Sequence, residues 1–168
     1  MVFKKLGAGP NAPDEVWVVV EIPKGSRNKY EMGEDGRLYL DRVLHSSLVY
    51  SGDYGFVAGT KAGDGDSLDA LVLLDQPTFP GCLLRVRPIG LVRMRDEKGE
   101  DDKVIGVLTK DPRYDEIKNV GDLPEHTVKE LKDFFQNYKR LETGKSVEVT
   151  GVAGAEEAKK TIRDALIK

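Results

Sequence analysis

Apolar and polar residues change their spacing once along this chain, and the change divides it. Residues 16–23, "VWVVVEIP", form a β-branched run stopped by Pro23, and "KYEMGEDGRLYLDRVL" predicts two short strands about a Gly-containing turn. "DALVLL" and "LLRVRPIGLVRMRDEKGEDDKVIGVLT" continue the strand pattern, the second reading as a hairpin with "DEKGED" at its tip. The period then lengthens. In "DLPEHTVKELKDFFQNYKRLE", Asp122 is placed to cap a helix with Pro124 in its first turn and Glu125 three residues after the cap. Val128, Leu131, Phe134, Phe135, Tyr138 and Leu141 follow at helical spacing. A last strand, "SVEVTG", leads to a second amphipathic helix, "GAEEAKKTIRDALIK", with Ala158, Ile162, Ala165 and Leu166 on one face. Short strands followed by helices predict a mainly β fold: a small barrel with helices packed outside it.

Composition narrows the class. The 168 residues show no repeat and no Ser/Gly/Pro-rich linker, so one domain spanning 1–168 is expected. Apolar residues make up 39% and charged residues 33%, an ordinary globular balance. No stretch approaches the ~18 apolar residues of a membrane span, and the N-terminal "MVFKKLGAGPNAPDEVW" lacks the apolar core of a secretory signal. A cytoplasmic location without membrane association is the expectation. The single cysteine, Cys82, excludes an internal disulfide and a multi-cysteine zinc site, and reads as an inert thiol. A formal net charge of -3 argues against nucleic acid, although the acids are concentrated in short loops.

Those acidic loops carry the candidate chemistry. "KAGDGDSLDALVLL" sets Asp64, Asp66 and Asp69 directly before an apolar strand. A calcium-binding EF-hand loop starting at Asp64 fails, because Leu68 and Asp69 stand where Asp or Asn and then Gly are needed. A solvated turn is one reading. Asp69 favours another: at the mouth of an apolar strand a carboxylate is poorly solvated and needs cations, and all-oxygen clusters suit Mg²⁺ or Mn²⁺. "RDEKGEDDK" adds Asp96, Glu97, Glu100, Asp101 and Asp102, either an exposed hairpin tip or the other half of a shared site. One magnesium needs only one or two carboxylates, so such a surplus points to several ions. Lys29 and Glu31 lie two apart on one strand face, Arg42 follows in "DRV", and Tyr138 and Lys139 end the first helix. Arg offers a planar fork to phosphate oxygens, Lys a point charge and Tyr a neutral donor. Ordinary strand-surface charges and helix packing account for the same residues more simply, and position alone does not decide between the readings.

Six segments in order, "VEIPKGSRNKYE", "DRVLHSSLVYSGDYGF", "DGDSLDALVL", "RPIGLVRMRDEKGEDDKVIGV", "DLPEHTVKELKDFFQNYKRLE" and "KSVEVTG", closely resemble the family I soluble inorganic pyrophosphatases of prokaryotic type. The likeness runs from about Val16 to the C-terminal helix. It implies an OB-like five-stranded closed barrel with two flanking helices, magnesium-dependent hydrolysis of pyrophosphate, and a homohexamer. By matching motif positions, Asp64, Asp69 and Asp101 would hold the metal pair, Asp69 bridging, and Asp66 would accept the proton of the attacking water. Asp96, Glu97 and Glu21 would serve metals arriving with substrate, and Glu31 an outer ion. Lys29, Arg42, Tyr54, Tyr138 and Lys139 would hold the phosphates, with Lys103 and Tyr50 lining the cavity. Mn²⁺ or Zn²⁺ could substitute for Mg²⁺. The chain departs from the family in Ser67 and in Tyr50-Ser51-Gly52, where proline is usual after the aspartate pair and after the tyrosine. Each loss of proline lowers stability by ~0.4–1 kcal/mol where the backbone fits.

Other motifs fail on context. "TGKS" (143–146) imitates a P-loop end, but Lys139 stands where its first Gly belongs. "GAGPNA" (7–12) follows no strand and is broken by Pro10. His45 and His126 are too far apart in the sequence for a zinc motif. Three rivals stand beside the pyrophosphatase reading: a nucleic-acid-binding OB module, which the acidic loops oppose, a catalytically silent relative, and another metal-dependent phosphohydrolase.

Overall fold

The structure, a computed structural model, describes residues 3–168. Nine strands and two α-helices follow one another: β1 (Val16–Ile22), β2 (Asn28–Met32), β3 (Leu38–Val43), β4 (Asp53–Val57), β5 (Asp69–Leu73), β6 (Leu83–Asp96), β7 (Gly99–Glu100), β8 (Lys103–Leu108), α1 (Glu125–Asn137), β9 (Val147–Gly154) and α2 (Ala155–Ala165). β1 pairs antiparallel with both β4 and β6, β4 with β5, and β8 with β6, while β5 and β8 run parallel. These pairings return to their start and close a ring of five strands, the barrel expected from the sequence. A ring leaves no edge among its members to template aggregation.

β6 is the longest strand, and it serves two structures. Its first part belongs to the ring, and Gly90 to Asp96 pair with β9 beyond it. Pro88 survives within this strand because the β6–β8 register shifts between Pro88 and Gly90, a bulge that spares the ladder a missing N–H. Gly55 is required by crowding: a Cβ there would lie 1.8 Å from the Val19 carbonyl oxygen of the neighbouring strand. β2 and β3 form a separate hairpin.

Alternate residues of β5 and β8 enter two apolar clusters. Leu71, Leu73, Ile105 and Val107 pack with Leu131, Phe134 and Phe135 of α1. Ala70, Val72 and Val104 pack with Ala158 and Ile162 of α2. Truncating a side chain as deeply buried as Phe135 typically costs ~3–5 kcal/mol. Asp53, fully buried, is compensated by the Lys24 N–H at 2.8 Å, the Thr78 N–H at 3.0 Å and the Thr78 hydroxyl, so it ties two loops to β4.

α1 differs from its sequence forecast at both ends. Asp122 caps an earlier short turn instead, accepting from the Lys118 and Asn119 N–H groups at 3.0 Å, and Pro124 stands at the N-cap of α1 without a side-chain cap. Leu141 lies beyond the last helical turn and is exposed. Neither helix, nor any other among the described residues, is long and apolar enough to cross a membrane.

Candidate active site

Parallel pairing of β5 and β8 aligns Ala70 with Val104, which brings the strand-opening residues Asp69 and Lys103 side by side. The Lys103 ammonium lies 2.6 Å from Asp69 Oδ2 and 2.8 Å from Asp101 Oδ1, and its side chain is 3% exposed. It also sits 5.7 Å from the centre of the Tyr54 ring. Burial alone would strip its proton, but Asp69 and Asp101 hold its proton affinity well above that of an ordinary lysine. Lys103 is therefore a buried cation held by its two acids.

Glu21 reaches the same place from β1. Burial, reinforced by the negative charges of Asp69 and Glu31, pushes its carboxyl up to about 7 against the opposing effects of the Met32 N–H, 2.7 Å away, and Lys29. Burial likewise raises Asp101, partly offset by Lys103. Tyr50, Tyr54 and Tyr138 form a buried aromatic wall, with Tyr50 and Tyr54 centroids 5.2 Å apart and Tyr50 and Tyr138 6.5 Å apart. Burial pushes all three phenols up, so each keeps its proton and presents a neutral donor.

Two further groups adjoin this centre. On the hairpin, Lys29 pairs across to Arg42 in the ladder, and both contact Asp41, at 3.4 Å and 2.5 Å. At the end of β6, Asp96 accepts from the Lys98 N–H at 2.8 Å and lies 3.3 Å from the Lys139 ammonium. Burial would raise Asp96, but these two partners outweigh it and hold it below the usual carboxylate range. Glu97 accepts from the Ser146 N–H at 3.2 Å. Asp64 and Asp66 stand apart: they are exposed in the loop before β5, where Asp64 accepts the Asp66 N–H at 3.0 Å and Gly65 turns the chain at a φ of +91°. Among the described residues, neither carboxylate pairs with Lys103 or Lys139.

Sequence reasoning missed Asp41 and Glu142. Glu142, buried one turn beyond Lys139, lies 2.6 Å from Arg42 Nε. Charge alternation in "LDRV" was the only signal for Asp41, and Glu142 had none, since its partner is remote in sequence.

Among the described residues no three acid, His or Cys side chains converge on one metal-binding point. Lys103 lies between two of the acids instead. The donor set nonetheless fits hard divalent cations. Glu21, Asp69 and Asp101 offer only oxygen, and the raised proton affinities of Glu21 and Asp101 are those of carboxylates short of compensating positive charge.

A family model described as inorganic pyrophosphatase matches residues 18–168. An inorganic pyrophosphatase of Haloferax volcanii is 47% identical over 166 residues, covering 98% of this chain and 94% of its own. One from Leifsonia xyli is 54% identical over 147 residues, covering 87% of this chain and 90% of its own. The crystal structure of inorganic pyrophosphatase from Thermus thermophilus superposes with a TM-score of 0.95 at 48% identity, over 97% of this chain and 95% of that one.

Proposed function

The chain belongs to the inorganic pyrophosphatase family, and we propose that it hydrolyses inorganic pyrophosphate to two phosphates with the help of several Mg²⁺ ions. The observation that carries this reading is one buried cation, Lys103, set among carboxylates and neutral tyrosines beside Lys29, Arg42 and Lys139. That combination suits a small, highly charged anion that enters with cations of its own.

Asp64, Asp69 and Asp101 would hold the inner ions, Asp96, Glu97 and Glu21 those that enter with substrate, and Glu31 an outer one. Bound magnesium supplies charge neutralisation of the phosphate oxygens and a lowered pKa for water. Arg42 offers its fork to one phosphate group, while Lys29 and Lys139 act as point charges. Tyr54 and Tyr138 donate neutral hydrogen bonds, and Tyr50 closes the wall. Lys103 holds Asp69 and Asp101 in orientation. Asp66, exposed and without an ion-pair partner among the described residues, accepts the proton as water oxygen bonds to one phosphorus and the bridging P–O bond breaks. Two phosphates leave.

The working form is proposed to be a cytoplasmic homohexamer of single-domain chains that engages neither nucleic acid nor membrane. Support for assembly comes from Leu38, Tyr39, Leu40 and Val43, exposed together on β3. Phosphate release from pyrophosphate, followed with Mg²⁺, with excess EDTA and in Asp66→Asn, tests the chemistry. Fast release that chelation abolishes and the substitution cuts by ~10²–10⁴ is expected. No release with any divalent metal would leave the catalytically silent relative standing.

A further inference from the structure

Arg42 is held from two sides. Its Nη1 lies 2.5 Å from Asp41 Oδ2, and its Nε lies 2.6 Å from Glu142 Oε1. Asp41 is a half-exposed neighbour on the same strand, 35% exposed in its side chain, whereas Glu142 is 4% exposed and arrives from the turn after α1. That turn is itself fixed, because the Glu142 N–H donates to the Lys139 carbonyl at 2.9 Å. The close approach is charge to charge: Arg42 Nε and Glu142 Oε2 are both sealed from solvent without a hydrogen-bond partner among the described residues. A buried oxygen left without a donor is costly, so packing alone gives no reason for a glutamate here. Lys145, 3.3 Å from the same Oε1, adds a second cation, so the carboxylate lies between two positively charged side chains.

We infer that Glu142 is a positioning residue that anchors the Nε edge of Arg42 and thereby fixes the orientation in which the guanidinium meets phosphate oxygens. With Nε facing Glu142 and Nη1 engaged by Asp41, the donors of Nη2 remain for phosphate oxygens. Arginine has several rotatable bonds, and a guanidinium fixed before binding loses less freedom when the anion arrives. Glu142 therefore acts on substrate affinity through Arg42 and touches no substrate itself. The inference rests on the reading of Arg42 as a phosphate contact.

A double-mutant cycle of Glu142→Gln and Arg42→Lys, with KM, kcat and melting temperature measured for each protein with Mg²⁺ and pyrophosphate, tests both levels. Glu142→Gln is expected to raise KM about tenfold and leave kcat within about twofold, as for loss of an interaction made equally in ground and transition states. In the Arg42→Lys background the same substitution should change KM by less than about twofold, because the group it positions is gone. Independent, multiplicative effects would overturn the inference. An unchanged KM in Glu142→Gln beside a raised KM in Arg42→Lys would overturn it and leave the role of Arg42 intact. An unchanged KM in Arg42→Lys would remove both. Should Glu142→Gln fail to fold, Glu142→Asp, which keeps the charge but withdraws it by one methylene, gives the same readout.

Discussion

Burial makes Glu21 the acid with the clearest pH signature. Folded, it gives up its proton at about 7, while the unfolded chain does so near 4.5. Between these values the folded state binds more protons at Glu21, so the contribution of this group to stability is full below about 4.5 and falls as pH rises toward 7. Metal-free protein should lose about 3 kcal/mol over that window from Glu21 alone. Urea unfolding at stepped pH in EDTA should show the loss, and Glu21→Gln should flatten it; equal slopes in both proteins would contradict the assignment. Lys103 makes the converse case. Lys103→Met leaves the half-buried Asp69 and Asp101 without their shared cation, a cost of about 1–3 kcal/mol because water still reaches both carboxylates. Added Mg²⁺ should restore more melting temperature to this variant than to the parent. Asp69 was legible at this scale because a carboxylate opening an apolar strand has to be explained. Glu142 was not, because its reason for being buried lies in Arg42, a hundred positions earlier on a hairpin.

At the scale of elements, close approach rather than propensity decides the critical positions. Gly55→Ala would drive a methyl into the Val19 carbonyl, and β1 cannot retreat without breaking its pairing with β6. Thermal unfolding should show a loss beyond about 4 kcal/mol, or no folded protein. Ser51 offers the opposite sign. Its hydroxyl is buried without a partner among the described residues, so Ser51→Pro removes an unsatisfied group while restricting the unfolded chain. A gain of ~0.4–1 kcal/mol is expected, and a lower melting temperature would show that the local backbone rejects proline. Most strands and both helices were readable from their periods, and so was the hairpin carrying Lys29 and Arg42, but β4 was not, since the short "DYGFV" carries no alternation that marks it. The start of α1 was misjudged because Asp122 satisfies a nearer turn, a competition between two local caps that spacing does not rank.

For the whole molecule, magnesium should act as a stabiliser: ions that bind only the folded site add ~2.7 kcal/mol at a hundred times their dissociation constant. A calorimetric scan against Mg²⁺ concentration checks this, and a concentration-independent melting temperature would contradict it. Sedimentation velocity tests assembly, with a species six times the 18.6 kDa chain expected. The element pattern already pointed to a barrel, but the order of pairing was beyond it, since no periodicity says that β5 should run parallel to β8 or that β1 should meet β6. Ring closure sets an order of assembly during synthesis. The strands of the ring are complete once Leu108 has emerged, whereas Tyr138 and Lys139 follow only with the end of α1. A nascent chain halted between these points carries Lys103 with its two acids, Tyr50 and Tyr54, but still lacks Tyr138 and Lys139. Until α1 is complete, Leu71, Leu73, Ile105 and Val107 have no helix to cover them, and exposed apolar surface of that kind is what makes an incomplete chain prone to aggregate.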